Sequence, residues 1–133
     1  MKKTGNDPCL LDTNIVIDLL KGQRSVADGI SNSKTVYLPV FALGELYLGA
    51  ECSGRKAFHY DQIKTFLKIA MVLNAGERTA LIYSRLKAYL KIKGTPIPEN
   101  DIWIAAIAQE HSLPLVTRDI HFKYLPDLKI LSW

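Results

Sequence analysis

Apolar positions recur along the chain in two rhythms. Short unbroken runs predict strands, and longer stretches with apolar residues three and four apart predict helices. Strands are expected at 8–11, 35–38, 71–73, 115–117 and 128–131. Between them, helices are expected at 14–21, with Ile15, Val16, Leu19 and Leu20 inward and Gly22 as the stop, and at 24–32. Pro39 opens a helix over 40–52, because its fixed φ and missing N–H suit a first turn. A further helix spans 55–68, with Phe58, Ile63, Phe66 and Leu67 as core candidates. The segment 77–93 places Ile82, Tyr83, Leu86, Tyr89 and Leu90 on one stripe and leaves Lys87 and Lys91 outside it, before Gly94 and Pro96 end the helix. The helix over 99–111 is apolar nearly all round and is expected to be central. A short turn joins the last two strands. Short strands alternating with helices predict an α/β layer fold, a sandwich around a mostly parallel sheet.

Against this pattern four acids stand out. Asp12 closes the apolar run Cys9-Leu10-Leu11 and precedes Thr13 and Asn14; Glu45 lies inside the apolar helix 40–52; Asp101 begins the run Ile102 to Ala108; Asp119 follows Leu115 to Thr117. Asp12 and Asp119 fall at carboxyl ends of strands, where open parallel sheets collect ligands, and Glu45 and Asp101 come from helices able to pack over that edge. Carboxylates gathered together repel, so such a cluster keeps a proton or holds a cation. Oxygen ligands without a Cys or His cluster favour Mg2+ or Mn2+ over zinc. Thr13, Asn14 and Thr117 are the supporting candidates, able to hold carboxylates or waters by hydrogen bonds. Each acid also has a plainer reading. Asp12 suits a helix cap, Asp101 a helix N-terminus, Glu45 a buried arginine and Asp119 an ordinary loop. Glycines at 44 and 49 weaken their helix, which suggests that something packs closely there. Arg118 and the histidines at 59, 111 and 121 are taken as surface or turn residues.

Composition narrows the function classes. With 133 residues, 48% hydrophobic and 23% charged, the chain is expected to be a single domain, 1–133, preceded by a loose tail at 1–7. No run is long and apolar enough for a membrane span, and the polar N-terminus has no secretory pattern, so a cytoplasmic protein is expected. Cys9 and Cys52 have no metal or redox spacing and are expected to be buried thiols. The net charge is +4, but nine of the seventeen basic residues lie between 54 and 94. Such a run is either a solvated face or a polyanion-binding surface, with Arg55, Lys56, Arg85, Lys87 and Lys91 as the RNA-binding candidates.

The four acids lie in motifs that resemble a known family. LLDTN at 10–14, PVFALGELYLGA at 39–50, PIPENDIWIAAIA at 96–108 and LVTRDIHF at 115–122 are together similar to the PIN domain of VapC-type toxins. The resemblance covers nearly the whole chain, and the set of motifs carries it rather than any one of them. It implies strand order 3-2-1-4-5 and a Mg2+-dependent endoribonuclease that cuts RNA with a metal-activated water. It also implies a homodimer inhibited by a VapB-like antitoxin. By the same resemblance Asp12, Glu45, Asp101 and Asp119 are the catalytic acids. Asp12 and Asp101 would be the principal metal ligands, with Glu45 and Asp119 serving a second ion or the water. The helices around 41–48 and 58–67 are expected to carry partner contacts. Alternatives are a PIN-like nuclease of RNA processing or decay and a PIN module that binds RNA or protein without cutting. A receiver-type signalling domain also uses acids and a Thr at strand ends, but the chain lacks its paired acids and its lysine.

Overall fold

Cys9, Leu10 and Leu11 have no solvent exposure in the computed structural model, which describes residues 7–133. Successive side chains on a strand point to opposite faces, so this strand, β1 (Cys9–Leu11), is covered on both sides. It lies at the centre of a five-stranded sheet ordered β3-β2-β1-β4-β5, with every pair parallel. The others are β2 (Val36–Pro39), β3 (Ala70–Leu73), β4 (Leu115–Val116) and β5 (Ile130–Leu131). Parallel neighbours need crossovers, and helices supply them: α1 (Thr13–Leu20), α2 (Arg24–Ser31), α3 (Val40–Glu51), α4 (Lys56–Phe66), α5 (Glu77–Lys93) and α6 (Glu99–Glu110). The α/β class and the strand order are those expected.

α6 is the most deeply buried helix. Ile102, Ile104, Ala105, Ala106, Ile107 and Ala108 are each at most 1% exposed, and the small alanines let α5 and α3 pack closely. α5 ends at Gly94, whose φ of +69° is the left-handed conformation that lets its N–H reach the carbonyls of Leu90 and Lys91. Buried Gly29 on α2 is required for a different reason, because the Trp133 ring occupies the space a Cβ would take.

Element boundaries fall within a residue or two of those expected, the usual scatter at fraying ends. The tail expected at 1–7 lies, apart from Asp7, outside the described residues. Other expectations change. The turn before β5 contains a 3-10 helix, Ile120–Tyr124, that buries Phe122 completely. Cys9 is buried, but Cys52 is exposed just past the end of α3. Phe58, a core candidate, is 44% exposed, since α4 meets the core through Ile63 and Phe66 with Tyr60 half-buried beside them. A Cβ at Gly44 or Gly49 would meet nothing within 4 Å, so none of the described residues packs closely there.

Candidate functional site

The chain fills one side of the sheet from β1 to β3 and then returns to β4 on the other side of β1. This reversal opens a crevice beyond the carboxyl ends of β1 and β4, the place where ligands bind in such sheets. Asp12 leaves β1 here, and its N–H donates to the Val116 carbonyl of β4 at 3.0 Å. That bond sets Asp12 beside the residues following β4. The Thr117 hydroxyl donates to Asp12 Oδ2 at 2.8 Å, and the Thr13 N–H donates to Oδ1 at 2.8 Å. Asp12 is 4% exposed. It does cap α1, so the plainer reading holds as local structure without accounting for its neighbours.

Those neighbours are the other three acids. Glu45, one turn and a half into α3, accepts the Thr13 hydroxyl at 2.6 Å; no buried arginine meets it, which removes the ion-pair alternative. Asp119 caps the 3-10 helix by accepting the His121 N–H at 2.9 Å, and its own N–H is held by the Thr117 oxygen at 3.0 Å. Asp101 lies in the first turn of α6. A helix N-terminus should favour its charged form, yet its pKa is pushed up to about 6. Burial is the largest cause, followed by the charges of Asp12, Asp119 and Glu45, with His121 opposing. Asp12 is raised as well, by burial first and by Glu45 and Asp119, against the hydrogen bonds from Thr117 and Thr13. The cluster therefore behaves as one electrostatic unit. Among the described residues no lysine or arginine forms an ion pair with any of the four.

Asp101, Asp119 and His121 each offer a ligand atom within 4.8 Å of the others, and His121 Nδ1 lies 2.9 Å from Asp119 Oδ1. His121 was set aside as a turn residue. The signal that could have found it is its spacing two residues after Asp119, where a tight turn brings the ring back to the carboxylate. Asn14 is exposed and forms no hydrogen bond with the acids. A cluster of oxygen donors with one imidazole, partly buried, mutually repelling and without a basic partner, fits a divalent cation.

Three aromatic rings tie the helices that carry these acids. Trp103, two residues after Asp101, stacks on Tyr83 of α5 at 4.0 Å and on Phe41 of α3 at 5.4 Å between ring centroids. Phe41 is one turn before Glu45, so the stack spans the helices that supply both helix-borne acids. Glu99, at the start of α6, accepts hydrogen bonds from Tyr83 and Lys87 and so fixes that end of the helix to α5.

The expected RNA-binding residues are not equally available. Lys87 is engaged by Glu99 and Lys56 by Glu51, and the Arg55 guanidinium lies 4.0 Å over the Phe58 ring. Arg85 and Lys91 are exposed. No helix among the described residues is long and apolar enough to cross a membrane.

Residues 9–128 match the PIN domain family model. The chain is 32% identical to the toxin FitB of Neisseria gonorrhoeae, with 92% of this chain and 96% of that one covered. It is also 32% identical to ribonuclease VapC2 of Haemophilus influenzae, with 93% and 96% covered. Among solved structures, it superposes on a DNA-bound VapBC from Salmonella typhimurium with a TM-score of 0.90 at 27% identity, covering 96% of this chain and 98% of that one. VapBC-1 from nontypeable Haemophilus influenzae gives 0.86 at 30% identity, covering 95% and 98%.

Proposed function

Because the chain belongs to the PIN domain family, we propose that it is a VapC-like toxin, a divalent-metal-dependent endoribonuclease restrained by a VapB-like antitoxin. The observation that carries the proposal is the four carboxylates at the sheet's switch point, brought together with no lysine or arginine paired to them among the described residues and with Asp101 pushed up to about 6. A scaffold protein gains nothing from that repulsion, whereas a site that needs a cation depends on it. The relatives named as ribonuclease and toxin and the solved toxin–antitoxin complexes support the substrate class and the partner.

In this reading the whole apparatus lies on one domain that acts in the cytoplasm. Asp12 and Asp101 hold the principal Mg2+ or Mn2+, while Glu45 and Asp119 serve a second ion or orient the water. A bound ion would neutralise charge at the phosphate and make the attacking water more acidic. The chain's own residues prepare the site. Thr117 and the Thr13 N–H hold both oxygens of Asp12, and the Thr13 hydroxyl turns Glu45 toward the cluster. The contact with His121 fixes the Asp119 carboxylate. Without a cation Asp101 takes a proton near pH 6, so protons and metal compete for it.

Of the basic candidates, exposed Arg85 and Lys91 would face the RNA backbone most readily, with Arg55, Lys56 and Lys87 having to leave their present partners, and the contact would weaken steeply with salt. A homodimer would cover part of the apolar surface that includes exposed Leu48 on α3.

Expression in a bacterial host tests the proposal. Growth should arrest, co-expression of the adjacent antitoxin gene should rescue it, and purified protein should cut RNA in Mg2+ but not in chelator. Undiminished cutting in chelator would overturn the metal requirement, and the absence of both arrest and cutting would overturn the nuclease.

A further inference from the structure

Glu45 also belongs to a second feature, an apolar groove of about 350 Å³ between α1, α3 and α4. Glu45 forms its near end. From there the groove runs along the next turn of each helix, past Ile17 on α1 and Gly49 on α3, over a floor that includes Leu46 and Ile63. The missing side chain at Gly49 keeps this wall low, since nothing lies within 4 Å of where its Cβ would be.

The far wall belongs to α4. Phe58, His59 and Gln62 line it, and Phe58 is 44% exposed although it is a large aromatic ring. The Arg55 guanidinium lies over that ring. The Gln62 amide N–H reaches the Leu20 carbonyl at 3.4 Å, which leaves its carbonyl oxygen to accept. Lys21 lines the α1 side. The lining thus combines an apolar floor, an exposed aromatic, two polar side chains and basic groups, and its one acid is Glu45 itself.

Unpaired RNA bases are recognised by this combination: stacking on an aromatic ring, hydrogen bonds to the base edge and cations for the adjoining phosphate. When a phosphodiester lies among the four acids, the neighbouring nucleotide is covalently placed at the Glu45 end of the groove. We infer that this groove is the subsite for the unpaired nucleobase next to the cut bond, with Phe58 stacking on it and His59 and Gln62 reading its edge. The inference rests on the nuclease reading and adds the determinant of sequence preference. An apolar peptide would fill the floor equally well, but it would not use Lys21 and Arg55.

The experiment uses a random-sequence pool of single-stranded RNA hexamers. Their cut ends are sequenced after exposure to wild-type protein, Phe58→Ala and Gln62→Ala in Mg2+, and hexamer binding is measured on Asp12→Asn protein with and without Phe58→Ala. The exposure of Phe58 makes the fold tolerant of its loss. Phe58→Ala should raise KM about tenfold, the scale of one lost base stack, and flatten the nucleotide preference beside the cut. Gln62→Ala should alter that preference with a smaller change in KM. If wild-type protein cuts but both variants keep its preference and KM, the subsite is overturned. Antitoxin binding is measured on the same variants, and its loss with RNA preference unchanged also overturns the subsite and assigns the groove to a protein segment. If wild-type protein cuts nothing yet Asp12→Asn protein binds hexamers through Phe58, the nuclease reading fails and with it the placement beside a cut bond, while base binding by the groove stands.

Discussion

At the carboxyl edge of β1 and β4, Asp12, Glu45, Asp101 and Asp119 interact with one another and form no ion pair with a lysine or arginine among the described residues. At the surface three other acids behave in the opposite way. Glu99 holds Lys87 and Tyr83, Glu51 holds Tyr60 and Lys56, and Asp18 of α1 holds Arg118. The Lys87 and Tyr83 hydrogen bonds keep Glu99 below the usual carboxylate range, and the Tyr60 hydroxyl and Lys56 do the same for Glu51. Asp101, by contrast, is held high by burial and by its fellow acids. Glu99, Glu51 and Asp18 thus find their counter-charges within the chain. Among the described residues His121, beside Asp119, is the crevice's one basic neighbour, so the remaining charge calls for a proton or a cation from outside, and the difference between the two regions separates structural from functional carboxylates.

The largest effect that sharpens this contrast is expected from Asp12→Asn. The amide keeps the shape and still accepts the Thr13 N–H, so the fold should survive. RNA cleavage, followed on a labelled substrate, should fall by more than the roughly 10–100-fold typical of losing an outer partner of a metal ligand. Thr117→Val removes such a partner, because the hydroxyl donates to Asp12 and accepts from Asp119 N–H. Cleavage should fall by about 10–100-fold through weaker metal binding. Chemical denaturation should show a loss of about 1–3 kcal/mol from the unsatisfied buried groups.

A pH series separates the regions next. The folded pKa of Asp101 lies above its unfolded value, so the metal-free folded state binds more protons than the unfolded chain between about pH 4 and 6. Stability should therefore decline as pH rises through that window. The loss is about 1 kcal/mol once solvent screening of this partly exposed group is allowed for. Asp101→Asn should flatten the slope, and added Mg2+ should stabilise the protein increasingly from pH 5 to 7. An unchanged slope in the variant would show that the crevice does not store repulsion. The smallest effect belongs to Glu99→Gln on the outer surface, where metal affinity should stay unchanged and the melting temperature should move little.

The acids were legible in the sequence because each interrupts or closes an apolar run, which a charge does only at a cost. The sheet order was legible through the set of motifs more than through any single strand, since β4 and β5 are two residues each. His121 was not legible. Its approach to Asp119 depends on a five-residue 3-10 helix that hydrophobic spacing does not announce. The Phe41–Trp103–Tyr83 stack was hidden for another reason, because its rings come from three helices that meet only in the folded chain. Phe58 and Gly49 were misjudged because both were assigned to packing within the chain. In the structure they border an open groove instead.

The most direct test of the difference between the two regions is Mn2+ binding followed by electron paramagnetic resonance, comparing wild-type protein with Asp101→Asn and Glu99→Gln. Wild-type protein and Glu99→Gln should bind the ion with the same affinity, and Asp101→Asn should lose it. Retained binding by Asp101→Asn, or its loss in Glu99→Gln, would contradict the assignment of the crevice acids to a cation.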